Sequence, residues 1–257
     1  MIVDAHCHVS ANWYEPVESL LAQMDRCGVE RAVLIQMLGR YENGYQQACR
    51  ARLPRRLMSV VAVDPADPAA PEVLRRLAGE GTTGVRLRPD APAALWSAAG
   101  SLGLAVSCVG TAAAFTSPAF AEVLSAASSP IVLEHLGGLA RPDVGDLAAM
   151  RGPVLALARF ADVYVKIPGL GQLAARGPRL PAEGPPFAMD QAAGLIGDIV
   201  AAFGASRSMW GSDYPVVSSR EGYANALAWV QDALGHLPEA DRAQIFGGTA
   251  RRVFGRD

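Results

Sequence analysis

The chain opens Met1-Ile2-Val3-Asp4-Ala5-His6-Cys7-His8-Val9. A nearly continuous apolar run ends in two histidines set two residues apart. A run this short and this apolar fits a strand buried on both faces. The same kind of run recurs at residues 31–36, 57–64, 84–88, 104–109, 131–135, 163–167 and 208–213, so that with residues 2–6 there are eight. Helical spacing fills the intervals. Residues 15–27 carry Val17, Leu20, Leu21 and Met24 on one stripe, and residues 70–78 carry Val73, Leu74 and Leu77. Residues 117–127 begin Ser117-Pro118, an N-cap followed by the favoured first-turn proline. Residues 147–160, 190–203, 221–234 and 238–254 continue the alternation. Strands alternating with helices make parallel βαβ units, and eight of them predict an α/β chain folded as a single (β/α)8 TIM barrel over residues 1–257. A doubly wound open sheet is the competing architecture, but no GxGxxG follows the first run.

Composition narrows the function. The chain has 257 residues, of which 51% are hydrophobic, enough for a large core. Its formal net charge of −2 leaves no electrostatic footprint for nucleic acid or for an anionic membrane surface. No apolar run approaches the ~18–20 residues of a membrane span. The N-terminus shows no basic segment followed by an apolar one, so the expectation is a cytoplasmic protein. Cys7, Cys27, Cys49 and Cys108 form no CxxC pair and are expected to be reduced, mostly buried thiols. Residues 169–187 interrupt the pattern. They include Gly177-Pro178-Arg179-Leu180-Pro181-Ala182-Glu183-Gly184-Pro185-Pro186, which no regular element tolerates, and they are expected to form a lid or substrate-binding loop over one barrel mouth.

Barrels of this kind carry their chemistry at the C-terminal strand ends. The eight runs end, in order, at His6 and His8, at Gln36, at Asp64, at Arg86 and Arg88, at Ser107 and Cys108, at Glu134 and His135, at Lys166, and at Asp213 and Tyr214. Three of the four histidines fall at such ends; the fourth, His236, reads as a surface residue near a helix end. His6 and His8 share a strand face. In a closed barrel the last strand neighbours the first, which would put Asp213 beside them. Asp4 is expected on the same face as His6, either as a partner orienting its ring or as a hydrogen-bond acceptor at the start of the strand.

These segments resemble the amidohydrolase superfamily. The resemblance rests on Asp4-Ala5-His6-Cys7-His8, Gly84-Val85-Arg86-Leu87-Arg88-Pro89, Glu134-His135-Leu136-Gly137-Gly138, Val163-Tyr164-Val165-Lys166 and Trp210-Gly211-Ser212-Asp213-Tyr214-Pro215, in that order, and extends to Gly248-Thr249-Ala250-Arg251-Arg252-Val253-Phe254. The branch it is most similar to holds sugar-lactone and dicarboxylate-lactone hydrolases together with metal-dependent decarboxylases. The resemblance implies that His6, His8 and Asp213 bind a divalent metal or frame the reacting carbonyl, and that Asp213 is also the general base. Metal-binding members add a Lys or His at the end of the fifth strand. Here that strand offers only Ser107 and Cys108, and His135 falls on the sixth, where the lactonase branch carries its histidine; a strand count one lower would make His135 the missing ligand.

The chemistry then follows. Asp213 takes a proton from water, while His6, His8 and His135 donate to the carbonyl oxygen as it becomes an oxyanion. A lid over the mouth would desolvate Asp213 and raise its pKa. If a metal is present, zinc suits two imidazoles and a carboxylate with one open position; otherwise there is no cofactor. Arg86 and Arg88, two residues apart, argue for an anionic small-molecule substrate, with Lys166, Tyr214 and Gln36 as further substrate contacts. Tyr41, Asn43 and Gln46 follow the second strand and lie within reach of the same mouth. The leading expectation is a lactone hydrolase. The alternatives are a metal-dependent non-oxidative decarboxylase of a small aromatic or unsaturated acid, and a barrel that binds a ligand without catalysis. Assembly as a homo-oligomer is compatible with each.

Overall fold

The structure is a computed structural model that describes residues 1–141, 143–173 and 189–255. Among them are eight strands: β1 (Ile2–Cys7), β2 (Val29–Ile35), β3 (Leu57–Val61), β4 (Gly84–Leu87), β5 (Ala105–Cys108), β6 (Ile131–Leu133), β7 (Val163–Ile167) and β8 (Ser208–Trp210). They form one sheet in the order β1 to β8, each parallel to the next. The sheet curls until its edges meet. Cys7 bridges to Tyr214, the His8 N–H donates to the Tyr214 carbonyl at 2.7 Å, and the Asp213 N–H donates to the His6 carbonyl at 2.8 Å. The expected (β/α)8 barrel is therefore the architecture found, and the strand count places His135 after β6.

Strand alternation sorts the side chains into two buried sets. Val3, Ala5, Val33, Ile35, Met58, Val60, Ala105, Val132 and Met209 fill the barrel interior, and Ala250 and Phe254 of the last helix plug it. The alternate residues, among them Leu34, Val61, Val85, Val106, Leu133 and Val165, pack outward against the helices. β1 breaks this alternation. Asp4 pairs with Ala32 but Cys7 pairs with Leu34, so three steps on β1 match two on β2. This irregularity has the effect of a β-bulge, re-aiming the side chains beyond it.

The helices follow the apolar stripes. Val17–Arg26 buries Val17, Leu20 and Met24. Pro118–Ala126 starts as expected, with the Ser117 hydroxyl accepting the Phe120 N–H at 3.2 Å. The helix Ala93–Ser101 has no counterpart in the sequence reading; its sequence, AALWSAAGS, is too uniformly small and apolar to show an amphipathic period. The expected helix 238–254 is found as three pieces, Glu239–Ala243, a π turn Gln244–Gly248 and Thr249–Phe254, the turn ending on the Gly247-Gly248 pair. Of the Gly/Pro-rich segment 169–187, Leu170–Gln172 forms a 3-10 turn and the residues after 173 lie outside the described ones. Among the described residues, no helix is long and apolar enough to cross a membrane.

Candidate active site

The interior polar layer is built by strand periodicity. Two steps beyond the inward-facing Gly84, Ala105, Val132 and Tyr164 stand Arg86, Ser107, Glu134 and Lys166, on the same faces and nearer the C-terminal mouth. All four are buried. Glu134 is the hub. Arg86 clasps it with Nε at 3.0 Å and Nη2 at 2.6 Å, and the Ser107 hydroxyl donates to its Oε1 at 2.6 Å. The Lys166 ammonium donates to Ser107 Oγ at 2.7 Å and to His6 Nδ1 at 3.1 Å. Burial alone would raise the Glu134 pKa, but the charges of Arg86 and Lys166 outweigh it and hold the carboxyl well below the usual range. Burial lowers Lys166 to about 8, against the pull of Glu134.

Above this layer lie the ends of β1, β6 and β8. His6 and His8 approach through their Nε2 atoms at 3.2 Å. Asp213 Oδ1 stands 3.7 Å from His6 Nε2 and 3.6 Å from His8 Nε2. The ring of His135 lies 5.0 Å from that of His6. The partners fix the tautomers. His8 Nδ1 is 2.6 Å from the Ile35 carbonyl and must donate to it, which leaves Nε2 to accept. His6 Nδ1 accepts from Lys166, so its proton is on Nε2, directed at His8. Gln172 Nε2 donates to His135 Nδ1 at 3.1 Å, which places the His135 proton on Nε2. Burial lowers the pKa of His6 and of His135, so both rings are neutral donors. The non-glycine residues with positive φ among those described are His135 (51°) and Asp213 (61°) of this cluster and Leu136 (56°), the chain neighbour of His135. Such backbone costs roughly 1–3 kcal/mol per residue and concentrates at functional sites.

The expectation that Asp213 has a raised pKa is corrected. Burial does push it up, but the polar surroundings of His8 and His135 and the guanidinium of Arg220 at 3.7 Å outweigh burial, and the group titrates below its ordinary 3.8. Of the two roles open to Asp4, the structure shows the hydrogen-bond acceptor and not the partner of the His6 ring. Its carboxylate accepts from the backbone N–H of Ser212 at 2.9 Å, the hydroxyl of Ser212 at 2.6 Å, the hydroxyl of Tyr223 at 2.9 Å and the backbone N–H of His6 at 3.1 Å. It faces the helix Tyr223–Ala233, not the His6 ring, because the irregularity in β1 separates the two side chains. Asp4 fastens β1 to the end of β8.

The sequence-derived residues divide. His6, His8, His135, Asp213, Arg86 and Lys166 converge. Gln36 contributes its backbone carbonyl to Arg86 Nη1 at 3.1 Å, while its side chain bonds Met37 N and Glu42 O. Tyr214 is buried in the outer core with its ring against Tyr223, and Arg88 is exposed with its Nε 3.2 Å from Asp90. Tyr41 is 39% exposed, Asn43 is buried in bonds to Ala62 just beyond β3, Gln46 is buried in bonds to Ser59 and Val60 of β3, and His236 is exposed. Several neighbours escaped the sequence reading. In the sequence Glu134 stands out only as a strand end. Trp13 and Tyr14 stack on each other, Tyr14 lies 6.1 Å from the His8 ring, and both line a cleft of about 460 Å³ with Met37, Arg40 and Tyr45. Arg220 comes within 3.7 Å of Asp213 Oδ2. A Trp-Tyr pair just after a His-x-His strand end was the one readable signal among these.

The spacing of His6 Nε2, His8 Nε2 and Asp213 Oδ1 can be tested against a metal. Three ligands of a tetrahedral zinc, each roughly 2.0–2.1 Å from the ion, stand about 3.3 Å apart. The observed 3.2, 3.7 and 3.6 Å fit that face closely, and this trio is one of two such groups among the described residues, the other being His6, Glu134 and His135.

The amidohydrolase family model matches residues 3–256. No curated protein matches the chain in sequence. Among solved structures, an amidohydrolase from Burkholderia multivorans with bound zinc aligns with a TM-score of 0.82 at 21% identity, covering 100% of both chains. A candidate 2-pyrone-4,6-dicarboxylic acid hydrolase from Pseudomonas putida aligns with a TM-score of 0.77 at 25% identity, over 99% of this chain and 97% of the other. The 5-carboxyvanillate decarboxylase of Sphingomonas paucimobilis aligns with a TM-score of 0.65 at 18% identity over 98% of each chain. At 21% and 18% the likeness carries the fold.

Proposed function

The chain belongs to the amidohydrolase family, and we propose that within it this protein is a hydrolase that opens a lactone bearing a carboxylate, with residues 1–257 acting as one domain. The observation that carries this reading is the opposition of a carboxylate, Asp213, to neutral imidazole donors, His6 and His135, across one barrel mouth. In this reading a water is held by Asp213 and the lactone carbonyl lies over the imidazoles. The water oxygen bonds to the carbonyl carbon while Asp213 takes its proton. The carbonyl becomes an oxyanion that accepts from the Nε2–H of His135 and shares the Nε2–H of His6 with His8. Collapse breaks the bond to the ring oxygen, and Asp213 returns the proton to that oxygen. An ionised Asp213 with a depressed pKa is always in the basic form but is a weak base, so much of the acceleration must come from stabilising the oxyanion. Lys166 and Glu134 act beneath this, holding His6 in its Nε2–H form.

His6, His8 and Asp213 would hold one divalent cation, zinc by their chemistry, and it would supply Lewis-acid polarisation of the carbonyl and a more acidic water. For that, the His6 proton would have to sit on Nδ1, opposite Lys166 in its neutral form. β5 brings only Ser107 to the mouth, not a further Lys or His ligand, which favours the lactonase reading over the decarboxylase one.

The test is a panel of γ- and δ-lactones, with and without a ring carboxylate, run beside aromatic carboxylic acids. Ring-opened acid from a carboxylated lactone supports the reading. Release of CO2 from an aromatic acid with every lactone left intact would replace it by the decarboxylase alternative.

A further inference from the structure

Most cations near the mouth are committed. Arg86 holds Glu134 in a bidentate pair, Lys166 is bonded to Ser107 and His6, Arg88 pairs with Asp90, and Arg141 forms two bonds to Asp143. Arg220 is different. Its Nη2 lies 3.7 Å from Asp213 Oδ2 and its Nε lies 3.4 Å from Glu221 Oε2. Both nitrogens are buried and have no hydrogen-bond acceptor among the described residues. The guanidinium is attracted by two carboxylates and hydrogen-bonded by neither, with its side chain 20% exposed. A buried donor without an acceptor is costly, and a planar fork of such donors matches a carboxylate.

Neither neighbouring carboxylate completes the bonds, although both Glu221 oxygens are themselves buried without a donor and Oε2 lies 3.4 Å from Arg220 Nε. Glu221 is wedged under the turn that follows β7: a Cβ at Gly169 or at Gly171 would come within 2.1 Å of one of its carboxylate oxygens. Asp213 turns Oδ1 to His6 and His8 and only Oδ2 toward Arg220. A lactone whose carbonyl lies over the imidazoles thus has Arg220 on the far side of the attacking water.

We propose that Arg220 is the residue that receives the carboxylate of the substrate, the role that the spacing of Arg86 and Arg88 suggests for them. This rests on the lactonase reading for the identity of the reaction, but the anion site itself can be tested without turnover. Arg86 keeps a structural place, since its fork is already filled by Glu134. Arg220 also places positive charge between the substrate anion and Asp213, offsetting their repulsion.

The probe is isophthalate, a planar ring dicarboxylate with no bond to hydrolyse, titrated calorimetrically into the wild-type chain and into Arg220→Gln, Arg220→Lys and Arg141→Gln. A charge-assisted pair predicts that Arg220→Gln raises the Kd roughly 10- to 100-fold, that Arg220→Lys recovers part of the loss, and that Arg141→Gln matches the wild type. Binding of isophthalate equally by the wild type and Arg220→Gln would overturn the proposal, and so would a wild type that binds none. Where lactones turn over, Arg220→Gln should also collapse the preference for a carboxylated over a neutral lactone in kcat/KM, which a loss of folding would not do. Arg220-dependent isophthalate binding in a chain that opens no lactone would uphold the anion site and count against the lactonase reading alone.

Discussion

Glu134 shows what one residue does in this site. It accepts from Arg86 and Ser107 while fully buried, so its removal strands a guanidinium in the barrel interior. Glu134→Gln should therefore cost about 3–5 kcal/mol of unfolding free energy, measured by denaturant titration, and Glu134→Gln combined with Arg86→Met should recover part of it. An unchanged midpoint would mean that the pair is not buried. Lys166 makes a second, pH-dependent prediction. Its folded pKa of about 8 lies below its ordinary 10.5, so between those values the unfolded chain holds a proton that the folded chain has released. Stability then rises with pH across that window, while below about 8 the buried ammonium carries its full cost, on the order of 3 kcal/mol. The stability difference between wild type and Lys166→Met should accordingly shift in favour of the wild type from pH 8 to 10; a flat difference would contradict the assigned environment. The types and positions of His6, His8, His135, Asp213, Arg86 and Lys166 were legible in the sequence because strand ends expose them. Their pairings were not. Arg86 on β4 meets Glu134 beyond β6 across the barrel, a partnership no local spacing encodes.

At the level of the strand, the seam between β1 and β8 positions the histidines. Gly211 leaves room there: a Cβ would stand 2.7 Å from His6 Cβ and 2.9 Å from its backbone nitrogen. Gly211→Ala must push β8 away from β1 and move His6 relative to Asp213. Displacements of about 1 Å can cost roughly 100-fold in rate, so kcat/KM should fall by about that factor, with a loss of about 1–3 kcal/mol in stability. Full activity in Gly211→Ala would show that the seam does not set the geometry. Alternation also accounts for the misread residues. Arg88 was paired with Arg86 by a period of two, but β4 ends at Leu87 and the pleat ends with it. Tyr214 follows an Asp213 turned inward, so its own ring turns out into the helix layer. Asp4 was placed with His6 by the same period, which the irregularity in β1 breaks.

For the whole molecule, eight apolar runs alternating with helical stripes were enough to read the barrel, because parallel strands covered on both faces have few other arrangements. Barrel closure then brings residue 6 beside residue 213, and the function proposed here depends on that closure. The central claim is that Asp213 takes the proton of the attacking water. The most direct measurement is the rate of opening of a carboxylated lactone by wild type and by Asp213→Asn, each checked for an intact fold by its thermal transition. The amide cannot accept the proton, so Asp213→Asn should lose at least ~100-fold in kcat, as removal of a general base does, with the fold retained. A folded Asp213→Asn variant that opens the lactone at the wild-type rate would contradict the account.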